Sequence, residues 1–302
     1  NAPNPHKHWD FPSSLYSLIT LASLVLAIKS LANNWPVCAA AGVVFACGAL
    51  AFARRQARLS DPLLTFDIFR SRIFSGGALT AGGAMFCLAG LELLSTQKLQ
   101  LVDALSPLNA GLIISAMALS AIPTSILGGA TLHHVGFLPL ISGGFLFMAA
   151  GMALVVWTGG TMLPLLVCGL VLTGLGAGLA MSVSSTAIIN AAPPHRAGMA
   201  SGVEAVSYEF GTLLSIALTG SLVPLLMARE LPPHLSELGT DALHHHSSHA
   251  AATSAYNAGY LFTIGGLSCF ALLFAAITAW CFRDNPKSGD PHAAHQQKDR
   301  SP

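Results

Sequence analysis

Charge is what this sequence has least of. Only 9% of its 302 residues are Asp, Glu, Lys or Arg, against about 25% in a typical soluble domain. So few charges cannot coat a water-facing surface, and hydrocarbon is the solvent that needs no polar coat. The net charge of +1 leaves no electrostatic footprint for nucleic acid. No two of the six cysteines form a CxxC pair. Cys38, Cys47, Cys87, Cys168, Cys269 and Cys281 all lie in or beside apolar runs, which reads as packing rather than a disulfide framework or a metal finger. Strand-like alternation is missing too, which removes a membrane barrel. No signal peptide opens the chain. Residues 1–11 are polar and rich in His and Pro, and the first residue is Asn1, so the sequence reads as part of a longer protein.

What is present is long apolar runs, 53% of all residues being hydrophobic. A spanning helix needs about 20 mostly apolar residues. Eight stretches qualify, near residues 13–32, 37–52, 74–95, 108–132, 137–157, 162–189, 198–227 and 257–282. Turn chemistry separates them: Asn33-Asn34-Trp35-Pro36, Ser106-Pro107, Gly159-Gly160-Thr161 and Pro193-Pro194. The expected fold is an all-α membrane protein.

Lysine and arginine orient it. Arg54, Arg55, Arg58, Arg70 and Arg72 crowd the segment after the second span, which the positive-inside rule places in the cytoplasm. Lys7, Arg196, Arg283, Lys287, Lys298 and Arg300 then also fall inside. Lys98, Arg229 and Lys29, with a side chain that snorkels outward, fall outside. Both ends are cytoplasmic on this reading. The organisation is a cytoplasmic linker (1–12), a pair of spans (13–53), a cytoplasmic loop (54–73), six spans (74–283) with an external loop at about 229–255, and a polar cytoplasmic tail (284–302) read as disordered.

Ionisable groups inside spans cost roughly 2.5–3.5 kcal/mol each on insertion scales, so each calls for a reason. Glu92 lies in the outer part of the third span; Glu204 and Glu209 lie in the seventh. Ser201, Glu204, Tyr208, Thr212, Ser215 and Thr219 recur at spacings of three and four, which makes one polar stripe. Glu209 lies about 140° round the helix from Glu204. Two readings are open. A carboxyl drawn out of water binds its proton more tightly, so it can load and release protons or exchange them for a cation. Alternatively each Glu is helix–helix glue, bonded to a neighbouring hydroxyl or carbonyl. Tyr208, Thr212 and Ser215 would line a substrate cavity under the first reading. Asp103 falls in an external turn and reads as solvated.

Other motifs carry less. Gly174-Leu175-Gly176-Ala177-Gly178 has the look of a nucleotide loop, but no strand precedes it. Close helix packing by Gly174, Gly176, Gly178 and, in the next span, Gly211 is the better account. His244, His245, His246 and His249 lack a partner set at metal-binding spacing, and His133-His134 sits in a short turn. No metal and no cofactor is expected. No strand-to-helix elbow or paired base attends any serine, so no enzyme is expected either.

The run Leu172-Thr173-Gly174-Leu175-Gly176-Ala177-Gly178 leads to Ala192-Pro193-Pro194-His195-Arg196-Ala197-Gly198. Ala200-Ser201-Gly202-Val203-Glu204 and Tyr208-Glu209-Phe210-Gly211 follow. Together they resemble the C-terminal region of the 14-helix drug:proton antiporters of the major facilitator superfamily, in particular the quaternary-ammonium and methyl-viologen efflux type. Asp61-Pro62-Leu63-Leu64, Asp67-Ile68-Phe69-Arg70-Ser71-Arg72 and Gln100-Leu101-Val102 through Ala110-Gly111 extend the likeness. The resemblance implies that spans one and two are the family's extra central pair and the other six its C-terminal bundle. An N-terminal six-helix bundle would be the missing partner, without which this chain would not transport. It implies a bacterial inner-membrane, proton-coupled exporter of lipophilic cations, with Glu204, Glu209 and Glu92 in proton coupling or cation binding and Tyr208 offering its ring to the cation. The sequence departs from the pattern at Ala121, where some quaternary-ammonium pumps carry an acid, and at His133-His134-Val135-Gly136, where a basic turn is usual. A rival is an uptake permease of the same fold, which intramembrane cations would favour; none is expected deep in these spans. A membrane-embedded receptor or enzyme is the more distant alternative.

Overall fold

The computed structural model describes residues 11–30, 34–59, 66–160, 162–193, 196–231, 243 and 249–283. The linker before residue 11, most of the loop between the last two spans with its histidines, and the tail from residue 284 lie outside the described residues, as does the Asp61-Pro62-Leu63-Leu64 link. Among those described, eight helices are long and apolar enough to cross a membrane. They are α1 (Phe11–Ser30), α2 (Trp35–Gln56), α3 (Arg72–Leu101), α4 (Pro107–Val135), α5 (Phe137–Trp157), α6 (Leu163–Ala191), α7 (Ala197–Glu230) and α8 (His249–Phe282). The chain divides into two units, residues 1–68 and 69–302.

The first unit is a helical hairpin. Asn34 caps α2 by accepting from Val37 N, and Pro36 occupies its first turn. Gly48 lets α2 approach Thr20 of α1, where a Cβ would lie 2.6 Å from its hydroxyl. Near the other end, Arg55 Nε donates to Ser13 Oγ at 3.2 Å. Leu18, Leu26, Val43 and Leu50 point outward, as lipid-facing side chains do.

The second unit is a six-helix bundle. One layer runs α4, α6, α3, α7; α5 and α8 lie across it, α5 on α6 and α8 on α3 and α7. Caps and glycines set the turns. Ser71 and Ser106 accept from Phe74 N and Asn109 N at the starts of α3 and α4. Gly136, Gly159 and Gly160 adopt φ of 88°, 65° and 63°, values that suit glycine. Lipid supplies no hydrophobic drive between helices, so close packing must hold them. Gly174 and Gly178 lie against the Met117 and Ala121 carbonyls of α4. Gly176 lies against the Gly144 carbonyl of α5, and Gly211 against the Gly82 carbonyl of α3. A Cβ at any of these would run into backbone, which cannot yield. Stacked rings fill the wider seams, Phe145 on Phe274 at 5.6 Å and Phe137 on Phe282 at 5.7 Å.

Gly174→Ala and Gly211→Ala are therefore expected to destabilise the bundle by about 1–3 kcal/mol each. Gly143→Ala, where nothing lies within 4 Å of the added carbon, should be neutral or better. Thermal unfolding in detergent distinguishes the three; equal melting would mean the seams are looser than the geometry states.

Two expectations are corrected. Helix α8 starts at His249, eight residues before the expected Asn257, because Ala252, Ala255 and Tyr256 are buried against the bundle. The loop between α7 and α8 is shorter for it. At the C-terminal end of α3, Lys98 is buried rather than solvated, and it pairs with the exposed Asp103. Lys98 is 2% exposed, and its Nζ lies 2.9 and 3.2 Å from the two Asp103 oxygens. The ammonium also sits 5.9 Å from the Tyr260 ring centroid, and Tyr260 Oη meets Ser95 Oγ at 3.4 Å. A cation is thus buried in a span after all, but it is neutralised where it stands.

Candidate functional site

Helix α7 carries two of the three carboxylates, and the polar stripe that holds Glu204 does not face one way along its length. Gly211 fits against α3, as does Ser215, whose hydroxyl would touch a Cβ on Gly90. Ser215 is fully buried, and its hydroxyl has no partner among the described residues. The structure thus places Ser215 in the α3–α7 seam rather than on an open wall. Thr212 and Thr219 turn their hydroxyls back on α7, donating to Tyr208 O at 3.0 Å and Ser215 O at 2.7 Å. Threonine and serine commonly bond the preceding turn of their own helix, so a row of hydroxyls overstates how polar a face is.

The first part of the stripe is different. Glu204 is half-buried, and Tyr208 Oη lies 3.1 Å from its Oε1. The same hydroxyl lies 3.4 Å from Met181 O on α6. Helices α6 and α7 touch only lightly, so Tyr208 reaches across a gap rather than through a packed seam. With one proton to donate, it bonds the carboxylate or the carbonyl. Ser184 donates to the same Met181 carbonyl at 2.9 Å, which makes α6 a second wall of the site. Sequence reasoning named neither Met181 nor Ser184, since nothing in a serine-rich helix singles out the residues that will face a tyrosine one helix away.

Glu209 is not part of this group. It lies on the exposed side of α7 with Val206, Phe210 and Leu213, roughly 160° round from Gly211 and so away from α3. Glu92 is apart from both, in a cavity between α3 and α4. The structure brings Glu204 and Tyr208 together and leaves the other two carboxylates at separate places.

A family model described as sugar (and other) transporter matches residues 70–223. That stretch is half of the chain and holds Glu92, Glu204 and Glu209. The chain belongs to the sugar (and other) transporter family of the major facilitator superfamily. As a transporter-family member with eight helices long and apolar enough to cross a membrane among the described residues, it is a multi-pass membrane protein. It is similar to the multidrug resistance protein Stp of Mycobacterium tuberculosis, 26% identical over 80% of this chain and 45% of that protein. The multidrug efflux pump LfrA of Mycolicibacterium smegmatis is 30% identical over 73% of this chain and 44% of the pump. The methyl viologen resistance protein SmvA of Salmonella typhimurium is 32% identical over 57% of this chain and 35% of that protein. The chain thus spans less than half the length of these relatives. The fold is also similar to that of a bacterial homolog of the human lysosomal transporter Spinster, solved inward-facing and unoccupied. There the TM-score is 0.54 at 18% identity, over 90% of this chain and 64% of that one. For this transporter-family chain, the resemblance read from the motifs of α6 and α7 is the one the relatives bear out.

Proposed function

We propose that this chain serves proton-coupled export of lipophilic organic cations, quaternary ammonium compounds among them, as part of a 14-helix antiporter. In the proposal, unit 2 is one of the two bundles that such a transporter rocks about a central site. The membrane is the bacterial inner membrane, with both ends of the chain in the cytoplasm. Names of relatives that mention drugs, multidrug efflux and methyl viologen support the cationic, lipophilic substrate class.

The observation that carries the reading is the Glu204–Tyr208 pair in the gap between α6 and α7. Protonated, the carboxyl is neutral and tolerates a water-poor gap; ionised, it attracts a cation, and Tyr208 offers both a hydroxyl to the carboxylate and a ring face to the ligand. One group that holds either a proton or a cation, never both, is enough to make the two flows exchange. Glu209, exposed on the other side of α7, would take part where a second bundle or a water-filled cavity covers that face.

The test is export of a fluorescent quaternary ammonium dye from proteoliposomes holding the complete transporter. An imposed pH gradient should drive accumulation against the dye's own gradient, and collapsing it should abolish that. Equal accumulation with and without the gradient would falsify the coupling. The rival reading, an uptake permease, gains nothing from Lys98, the buried cation among the described residues, since it is already satisfied by Asp103.

A further inference from the structure

Gly174 and Gly178 clamp α4 onto α6, while α4 meets α3 only at its fringe. The space left between α3 and α4 is an open-sided cavity of about 400 Å³ lined by Leu88, Glu92, Gly111, Ile114, Ser115 and Met117 among others, with Glu92 exposed in it. That volume falls in the range of small-molecule sites, which pair an apolar lining with a few placed polar groups. Small residues make the room, and a Cβ added at Gly111 would meet nothing within 4 Å. Leu88, Ile114 and Met117 supply the apolar wall. Glu92 is the single charged residue among those lining it, and no described residue bonds or pairs with its carboxylate. The cation six residues along the same helix, Lys98, points roughly 120° away and is bound to Asp103. Ser115 spends its proton on Leu112 O at 2.7 Å, so its oxygen faces a ligand only as an acceptor. The cavity therefore offers one negative charge, acceptor lone pairs and an apolar body.

We propose that this α3–α4 cavity is a second binding site, for a lipophilic monocation, with Glu92 as its counter-charge. It is distinct from the Glu204 gap. Gly82 lies beside Ser207 and Gly211, and Gly90 beside Ser215, which fixes the level of α3 against α7. By helix rise, Glu92 then lies roughly 20 Å nearer the outer end than Glu204, too far for one small ligand to hold both. On the export reading, which this inference deepens, Glu92 is where the cation rests on the outward side after Glu204 has exchanged it for a proton.

Binding of tetraphenylphosphonium to the chain in lipid nanodiscs, by equilibrium dialysis, tests it without requiring transport. Tetraphenylborate, of the same shape and opposite charge, is the control. The phosphonium should bind and the borate should not. Glu92→Gln and, by filling the cavity while leaving the charge, Gly111→Leu should each weaken binding about tenfold, the order of one charge-assisted contact. Glu92→Asp should recover part of it, and the double variant Glu204→Gln/Glu209→Gln should retain this site. Binding within twofold of the unaltered chain in both Glu92→Gln and Gly111→Leu, each with unchanged melting, overturns the site. Equal binding of the borate overturns it too, since that is apolar adsorption. Loss of proton-driven export with this binding intact would refute the export reading alone.

Discussion

Replacing Glu204 by glutamine is expected to lower pH-gradient-driven dye export by about two orders of magnitude. Removing one partner of a desolvated charge pair costs about 2–5 kcal/mol, and glutamine also ends proton exchange at that position. Its shape and its ability to accept from Tyr208 remain, so folding and insertion should be unchanged. Tyr208→Phe separates the parts of the site. It deletes the 3.1 Å contact to Glu204 but keeps the ring, so export should fall by about tenfold at most, as loss of a hydrogen bond to a charged group implies. If Glu204→Gln exports at the rate of the unaltered protein in the same liposomes, the exchange role belongs to another residue.

The second large effect concerns the C-terminal end of α3, and it is asymmetric. Asp103→Ala leaves the Lys98 ammonium, 2% exposed, without its counter-charge, and should destabilise the bundle by about 3–5 kcal/mol. Lys98→Met leaves Asp103, which is 37% exposed and can turn to water, so its cost should be less than half of that. The double variant Lys98→Met/Asp103→Ala should recover most of the loss, because neither charge then remains to be buried. Melting temperatures of the three in one detergent decide it. Equal destabilisation by the two single variants would mean that water already reaches Lys98.

How much of this was legible differs from one residue to the next. Spans were readable because hydrocarbon imposes a length and a composition at once, and the glycines of α6 were readable as packing because they sit inside a span with no strand before them. The early start of α8 was not, since Ala250 to Tyr256 follow a polar, His-rich stretch and only tertiary burial of Ala252 and Ala255 extends the helix over them. The burial of Lys98 was not legible for a related reason. A lysine near a span's end ordinarily snorkels outward; here Asp103, five residues on, folds back over the helix terminus, with Ala104 at φ 51° completing the turn. The polar stripe of α7 was found as a pattern, but periodicity does not say which hydroxyls bond their own backbone. Thr212 and Thr219 do so, Ser215 is sealed into a seam, and Glu204 with Tyr208 alone reaches the gap beside α6. The cavity at Glu92 depends on α4 leaning on α6 rather than on α3, a choice made by glycines on a third helix.

The claim beneath all of this is that one side chain, Glu204, surrenders a hydrogen ion when a lipophilic cation arrives. Saturating tetraphenylphosphonium added to the purified transporter in weakly buffered solution, with a pH dye present, reads that event directly. Proton release on binding is expected, undiminished in Glu92→Gln and abolished in Glu204→Gln. No release on binding, or the same release from Glu204→Gln, would contradict it.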